Sequence, residues 1–289
     1  MNERLVFIIN PISGLKNKEI LEHQIRLSCE KHQKKFDIFY TKYAKHLPLL
    51  VKELIYKGYK KIIVAGGDGT INEAGSALIH TDIALGIIPL GSGNGLARHL
   101  KIPLDSQKAL DKILKSHDTV IIDAGKVNEY YFFSNSGIGF DADVIKRFEK
   151  IQNRGLRAYV KCTLESFIYI KSFGFSLDKN KKPTKTFLIN VANGSQYGYG
   201  YTIAPVASLQ DGQLDLTAGN MKNKLHLLQF GAELLLKVKE STHVCFRYKI
   251  QDTTISLTDK IPLQVDGELK GIVDKAHFQV ISKALKIII

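Results

Sequence analysis

Gly66-Gly67-Asp68-Gly69-Thr70 and Pro89-Leu90-Gly91-Ser92-Gly93-Asn94 are the stretches of this chain best suited to chemistry. Glycines at a strand end permit positive φ and let backbone N–H groups approach a ligand closely. A helix N-terminus beside them adds about half a positive charge, which favours phosphate. In the first loop Asp68 can hold Mg²⁺ directly or through water, and Thr70 can donate to a phosphate oxygen. Asn72 and Glu73 then fall on the first turn of the following helix. A tight turn capped by Thr70 would explain the first loop alone. Two such loops at strand ends of one sheet make a nucleotide site the leading reading. No G-x-x-x-x-G-K-[ST] P-loop and no G-x-G-x-x-G fingerprint occurs. The protein-kinase set of catalytic-loop and metal-loop motifs is absent as well.

The elements that position these loops read as strands at Leu5–Ile9, Phe36–Thr41, Lys61–Ala65, Ala84–Ile88 and Thr119–Ile122. Helical patterns lie between them at Asn17–Lys34, His46–Lys57, Ile71–Ile79, Gly95–Leu100 and Ser106–Lys115. Near-continuous apolar strands alternating with amphipathic helices predict a doubly wound parallel α/β sheet. Ligands of such sheets bind beyond the carboxyl ends of the strands. Both glycine loops sit there, as does Asn10-Pro11-Ile12-Ser13-Gly14.

After about Asp123 the texture changes to shorter apolar runs at hairpin-like spacing: Lys126–Asn135, Thr184–Asn193, Gln213–Ala218, His243–Ile250, Thr253–Leu257, Ile261–Val265, His277–Ile281 and Leu285–Ile289. Two helices interrupt them, over Ala142–Ser172 and Lys224–Val238. This half is expected to be a mostly antiparallel β-sandwich. Asp178–Pro183 reads as an exposed turn.

The chain has 289 residues, 44% of them hydrophobic and 24% charged, as in a soluble globular protein of two domains. No apolar run approaches the roughly 20 residues that span a bilayer. The N-terminal residues run directly into a strand and lack the features of a signal peptide. Cys29, Cys162 and Cys245 are odd in number and widely spaced, which excludes a disulfide framework or zinc cluster and suits a reducing cytoplasm. The net charge of +13 draws nucleic acid, anionic headgroups or anionic substrates. Without zinc-finger spacing or an RNP-type motif, nucleic acid is the weaker of these.

Taken together, Asn10–Gly14, Gly66–Glu73 and Pro89–Asn94 resemble the three nucleotide-loop motifs of the diacylglycerol kinase catalytic-domain family of lipid kinases. The resemblance continues through Ala204-Pro205 and Asp211–Leu216 to Val265-Asp266-Gly267-Glu268, so it covers essentially the whole chain in order. It implies a nucleotide-binding α/β domain over 1–123 and a β-sandwich lipid-substrate domain over 124–281, with the strands about 282–289 returning to the first domain. Asn10, Pro11, Ser13, Gly14, Thr41, Gly66, Gly67, Asp68, Gly69, Thr70, Asn72, Glu73, Gly91, Ser92 and Asn94 would then bind ATP. Asp211 would hold a structural Mg²⁺ with backbone oxygens near Ser208 and Gln213, although Asp211-Gly212 also reads as a hairpin turn. Glu268 matches the general base, with Asp266 beside it and Asp68 as the third catalytic carboxylate. A carboxylate that orients the attacking hydroxyl and takes its proton is what phosphoryl transfer asks for. Asp266-Gly267-Glu268 reads equally as a turn between two strands.

One departure concerns the acceptor. Asn94-Gly95-Leu96-Ala97 lacks the Asn-Asp pair of many bacterial diacylglycerol kinases and is closer to the sphingosine and ceramide kinase branch. The expected reaction is transfer from ATP to a lipid hydroxyl, of diacylglycerol or a related lipid, with a sphingoid base or ceramide as alternative acceptor. NAD kinase, whose loop also contains Gly-Gly-Asp-Gly-Thr, and a non-catalytic nucleotide- or lipid-binding regulator are the other readings. Arg98 and His99 read as basic ends of a short helix or as neighbours of a ligand. Within Val144–Phe173, basic Lys146, Arg147, Lys150, Arg154, Arg157 and Lys161 accompany Ile151, Tyr159, Leu164, Phe167, Ile168 and Ile170. That stretch reads as a lipid-handling helix or an ordinary amphipathic one, and Tyr197, Tyr199 and Tyr201 as a border of the acceptor pocket. Expected partners are a membrane lipid substrate and a peripheral anionic membrane surface, with no nucleic acid and a homodimer left open. The expected location is the cytoplasm, at the inner membrane surface.

Overall fold

A computed structural model describes residues 4–12, 18–151, 155–177, 182–198, 201–236, 238 and 240–289. They form two compact units, Met1–Ile122 with Lys283–Ile289, and Asp123–Ser282.

Unit 1 alternates strands and helices in the order β1 (Leu5–Ile9), α1 (Lys18–Lys31), β2 (Phe36–Tyr40), α2 (His46–Tyr56), β3 (Lys61–Gly66), α3 (Asp68–Leu78), β4 (Ala84–Pro89), α4 (Gly95–His99) and α5 (Ser106–Lys115). Its sheet runs β2-β1-β3-β4 with every pair parallel. Val6, Phe7, Ile8 and Ile9 are all buried, so both faces of β1 are covered, as a parallel sheet flanked by helices requires. Leu21 and Ile25 of α1 and Leu110 of α5 pack with Phe7, Ile9 and Ile63 on one face. α5 is amphipathic and begins at Asp105, whose side chain caps it by accepting the Lys108 N–H at 2.9 Å.

The second half contains β5 (Thr119–Val127), β6 (Tyr130–Phe132), β7 (Asn135–Gly139), α6 (Phe140–Phe148), α7 (Leu156–Tyr169), β8 (Phe173–Ser176), β9 (Thr184–Thr186), β10 (Leu188–Ala192), β11 (Gln196–Gly198), β12 (Tyr201–Thr202), β13 (Leu214–Ala218), α8 (Lys224–Leu235), β14 (Phe246–Ile250), β15 (Asp252–Val265) and β16 (Glu268–Ile288). The order β14-β13-β10-β7-β15-β16 is antiparallel throughout. Its core joins Phe132, Ile138, Ile189, Leu216, Leu263 and Phe278.

Several expected boundaries move. Leu285–Ile289 is not a strand of the antiparallel unit: the last residues of β16 pair parallel with β4, Lys286 opposite Ala84. The two strands expected at Thr253–Leu257 and Ile261–Val265 are one strand, because the residues between them form a register shift and not a turn. The helix expected over Ala142–Ser172 is two helices, α6 and α7, with Gly155 preceding the second. Phe167 and Ile170 pack inward while Leu164 and Ile168 stay exposed. α3 starts at Asp68, not Ile71, so the acidic loop residue belongs to the helix itself. Arg154, most of the Asp178–Pro183 turn and the side chains of Tyr197, Tyr199 and Tyr201 lie outside the described residues. The three cysteines are free and buried. Burial pushes the thiols of Cys29 and Cys245 up to about 12 and that of Cys162 above its ordinary value. Among the described residues no helix is long and apolar enough to cross a membrane.

Candidate active site

Three parallel neighbours, β1, β3 and β4, end side by side, and the chain leaves each into one of the motif loops. At the end of β1 the Asn10 N–H donates to the Ala65 carbonyl at 3.2 Å. The Asn10 amide donates to the Thr70 hydroxyl at 2.9 Å, and its carbonyl accepts the Ile12 N–H at 3.1 Å. Thr70 is buried in the first turn of α3, so this bond ties the first loop to the second. Thr41, just past β2, donates its N–H to the Ile9 carbonyl at 3.1 Å and so borders the same strand ends. Pro11 is part of the turn after Asn10, and Ser92 is exposed on the β4 loop. Asn72 and Glu73 follow on α3, where Asn72 accepts the Ser76 hydroxyl at 3.5 Å. Ser13 and Gly14 lie outside the described residues.

The two glycine loops are locked together by Asp68. Its carboxylate accepts the Asn94 N–H at 2.8 Å on one oxygen and the Gly95 N–H at 2.8 Å on the other. The glycines serve this close approach. A Cβ on Gly93 would fall 2.6 Å from an Asp68 carboxylate oxygen, and one on Gly91 would fall 2.8 Å from the Gly67 Cα. The expectation of positive φ is met by a different residue: Gly66, Gly67, Gly69, Gly91 and Gly93 are not left-handed, whereas Asn94 is, at φ 54°. Its side chain closes the loop on itself, accepting the Gly91 N–H at 3.0 Å and donating to the Gly91 carbonyl at 2.6 Å. Arg98 donates to the Gly93 carbonyl at 2.8 Å and so braces the loop. Burial raises the Asp68 carboxyl above its ordinary value, and the N–H groups of Gly95 and Asn94 oppose that rise. Burial alone lowers the His99 imidazole.

In unit 2, β15 and β16 are joined by Asp266 (φ 45°) and Gly267 (φ 82°), with Val265 opposite Glu268. Two central residues with positive φ make the tight turn whose twist matches antiparallel strands. Asp266 is buried, and its carboxylate accepts three backbone N–H groups, from Phe133 at 2.9 Å, Ser134 at 2.8 Å and Asn135 at 3.1 Å. Glu268, by contrast, has a side chain 43% exposed and accepts the Lys270 ammonium at 2.7 Å. One acid of the pair holds the turn and the other is presented by it.

Beneath the turn lies a buried polar group that no motif reading anticipates. Gln264 accepts the Gly267 N–H at 2.9 Å and donates to Asn135 at 2.9 Å. Asn190 donates to Asn135 and to Asp141, each at 3.2 Å. Gly137 is glycine because a Cβ there would lie 1.6 Å from an Asp141 oxygen. What betrays part of this group in the sequence is a polar residue between apolar ones: Asn190 within the buried Leu188–Ala192, and Gln264 between Leu263 and Val265 at the buried end of β15.

Asp211 has another partner than the expected cation. One of its oxygens accepts the Gln213 N–H at 3.1 Å, and the other accepts the Lys249 ammonium at 2.9 Å. Lys249 also donates to Asp215 at 2.8 Å. The Ser208 hydroxyl accepts the Gln210 N–H at 3.3 Å, and the Gly212 N–H donates to Asp123 at 2.8 Å. Among the described residues no cluster of three or more His, Cys, Asp or Glu stands ready for a metal. Each Asp211 oxygen thus carries one donor in this structure.

Two family models match the chain. Residues 4–127 match the diacylglycerol kinase catalytic domain, and residues 135–289 match the YegS C-terminal NAD kinase beta sandwich-like domain. A diacylglycerol kinase of Staphylococcus carnosus (strain TM300) is 28% identical over 283 residues, which is 94% of this chain and 90% of that protein. A diacylglycerol kinase of Mycobacterium tuberculosis (strain H37Rv) is 32% identical over 195 residues, 64% of this chain and 62% of its own. A solved diacylglycerol kinase structure from Bacillus anthracis (strain Sterne) shares the fold at a TM-score of 0.76 and 21% identity, covering 99% of this chain and 96% of that one.

Proposed function

Because this chain belongs to the lipid kinase family that joins a diacylglycerol kinase catalytic domain to a YegS C-terminal domain, we propose that it phosphorylates the free hydroxyl of diacylglycerol. ATP, entering as its Mg²⁺ complex, is the donor. The observation that carries this reading is the Asp68 clamp: it holds two glycine loops and the N-terminus of α3 together at the carboxyl ends of β3 and β4. Backbone N–H groups and a helix N-terminus so arranged suit a polyphosphate. Asn10 and Thr70 brace the same end of the sheet.

Glu268 is the base. Its carboxylate takes the proton of the lipid hydroxyl as the O–P bond to the γ-phosphorus forms and the bond from that phosphorus to the β-phosphate oxygen breaks, releasing ADP. Lys270 beside it donates to that carboxylate at 2.7 Å. The acceptor is met at the inner surface of a membrane, to which the chain is held peripherally. A sphingoid base is the second reading. It rests on Gly95, which leaves no carboxylate at a position where the chain uses the backbone N–H to bind Asp68.

Transfer from labelled ATP to mixed micelles holding diacylglycerol, sphingosine, dihydrosphingosine, ceramide or monoacylglycerol tests this directly, with NAD in a further well. The expected product is labelled phosphatidate. Preference for sphingosine would move the chain to the second reading, and labelled NADP would make it an NAD kinase. ATP binding without transfer to any acceptor would make it a regulator.

A further inference from the structure

The two helices of unit 2 that follow α6 keep large apolar side chains in solvent in an ordered way. On α7, Leu156, Val160, Leu164 and Ile168 recur every fourth residue, and all four are exposed, Leu164 and Ile168 by 61% and 60%. Residues four apart lie on one face of a helix, so these form a stripe. The opposite side of α7 carries buried Cys162 and Ser166. On α8, Leu225, Leu228 and Leu235 share a second stripe, with Leu225 exposed by 71%, while Leu227 and Phe230 face the core. The helix ends that carry them adjoin: the Lys224 ammonium at the start of α8 donates to the Ile168 carbonyl and lies 5.8 Å from the Phe167 ring centroid at the end of α7. Single exposed leucines are normal on a protein surface, but rows of them mark a surface that is covered in use.

Charge identifies the cover. Between Val144 and Phe173 there are seven lysines and arginines against two glutamates. Lys146 on α6, Lys150 just after it, Arg157 and Lys161 on α7, Lys171 just beyond it and Lys222 just before α8 are all exposed. A second copy of this chain would bring the same cations against them and be repelled. An anionic bilayer accepts both features, since leucines enter the acyl boundary while ammonium and guanidinium groups stay at the depth of the phosphates. Helices of 14 and 12 residues lie on such a surface and do not span it. We infer that the exposed faces of α7 and α8 form a single docking surface for an anionic lipid bilayer. The inference rests on the reading of the acceptor as a membrane lipid, and it places the contact on named side chains.

Sedimentation of the full chain with sucrose-loaded vesicles tests it, without ATP or diacylglycerol, so that docking and phosphoryl transfer are read separately. The wild-type chain should bind vesicles of phosphatidylglycerol and phosphatidylcholine and leave phosphatidylcholine vesicles unbound. A Leu164→Gln/Ile168→Gln/Leu228→Gln variant should bind the anionic vesicles about tenfold or more weakly, with ATP affinity unchanged. Lys146→Glu/Lys161→Glu keeps every apolar contact and should weaken binding at least as much, which covers the case of a triple variant that fails to fold. Equal binding to both vesicle types, or full binding by either variant, overturns the inference. So does sedimentation velocity that finds a dimer in the wild-type chain and a monomer in the triple variant. Docking without any lipid phosphorylation would leave the surface standing and sink the kinase reading instead.

Discussion

The glycine loops of unit 1 and the Asp266 hairpin of unit 2 use one device to different ends. In each, an aspartate at the heart of a motif gives both carboxylate oxygens to backbone N–H groups. Asp68 reaches across 26 and 27 residues to Asn94 and Gly95 and holds two loops together, so its carboxylate is spent on shaping the motif it belongs to. Asp266 reaches back more than 130 residues to 133–135 and holds a turn in place, which leaves its neighbour Glu268 as the more exposed acid of that motif. An acidic residue in a motif thus takes either of two parts, and its partners separate them: Asp68 and Asp266 accept backbone N–H groups, and Glu268 accepts the Lys270 ammonium.

That contrast breaks first at Glu268. Glu268→Gln should cost about a thousandfold in turnover, the middle of the range for a lost general base, with the melting temperature unchanged. Asp266→Ala should show the reverse order of effects. Three buried N–H groups lose a charged acceptor, and denaturant unfolding should register about 3 kcal/mol of lost stability. If Asp266→Ala melts like the wild type yet is inactive, Asp266 is the chemical group and the division of roles is wrong.

In unit 1, Gly93→Ala should push its methyl into the Asp68 carboxylate and cost about 1–3 kcal/mol, with a parallel loss of ATP affinity measured by calorimetry. Gln264→Leu sharpens the unit 2 side. It removes the acceptor of the Gly267 N–H and should lower stability by about 1–2 kcal/mol. Turnover should fall while the Michaelis constant for ATP holds. The smallest effect belongs to Lys249. As a half-exposed ion pair it should contribute up to about 1 kcal/mol, seen on Lys249→Met, and EDTA should leave the wild-type melting temperature where it is. A melting temperature that drops on chelation would restore the metal to Asp211.

Much of this was legible beforehand, for local reasons. Strands β1, β3 and β4 are apolar on both faces and reach an asparagine or a glycine at their last residue or within two residues of it, so their nature and their loops follow from a few consecutive residues. The misread elements failed where a turn signal serves another purpose. Thr258-Asp259-Lys260 looks like the end of a strand and is a register shift inside β15. Lys283, at φ 50°, marks an irregularity within β16 and not its end. Buried polar partners were not legible either. Asn135, Asp141 and Gln264 meet across more than 120 residues, and a carboxylate's role depends on which distant N–H groups find it.

The cysteines carry a practical consequence. All three are enclosed, and two hold their protons up to about 12, so at neutral pH the folded chain presents almost no thiolate to a maleimide. The native protein should therefore label slowly with thiol-reactive dyes, without any cysteine being removed. A single cysteine introduced at Leu156, Leu164 or Leu228 would be the position such a dye finds, and an environment-sensitive fluorophore there would report the polarity around each helix in turn.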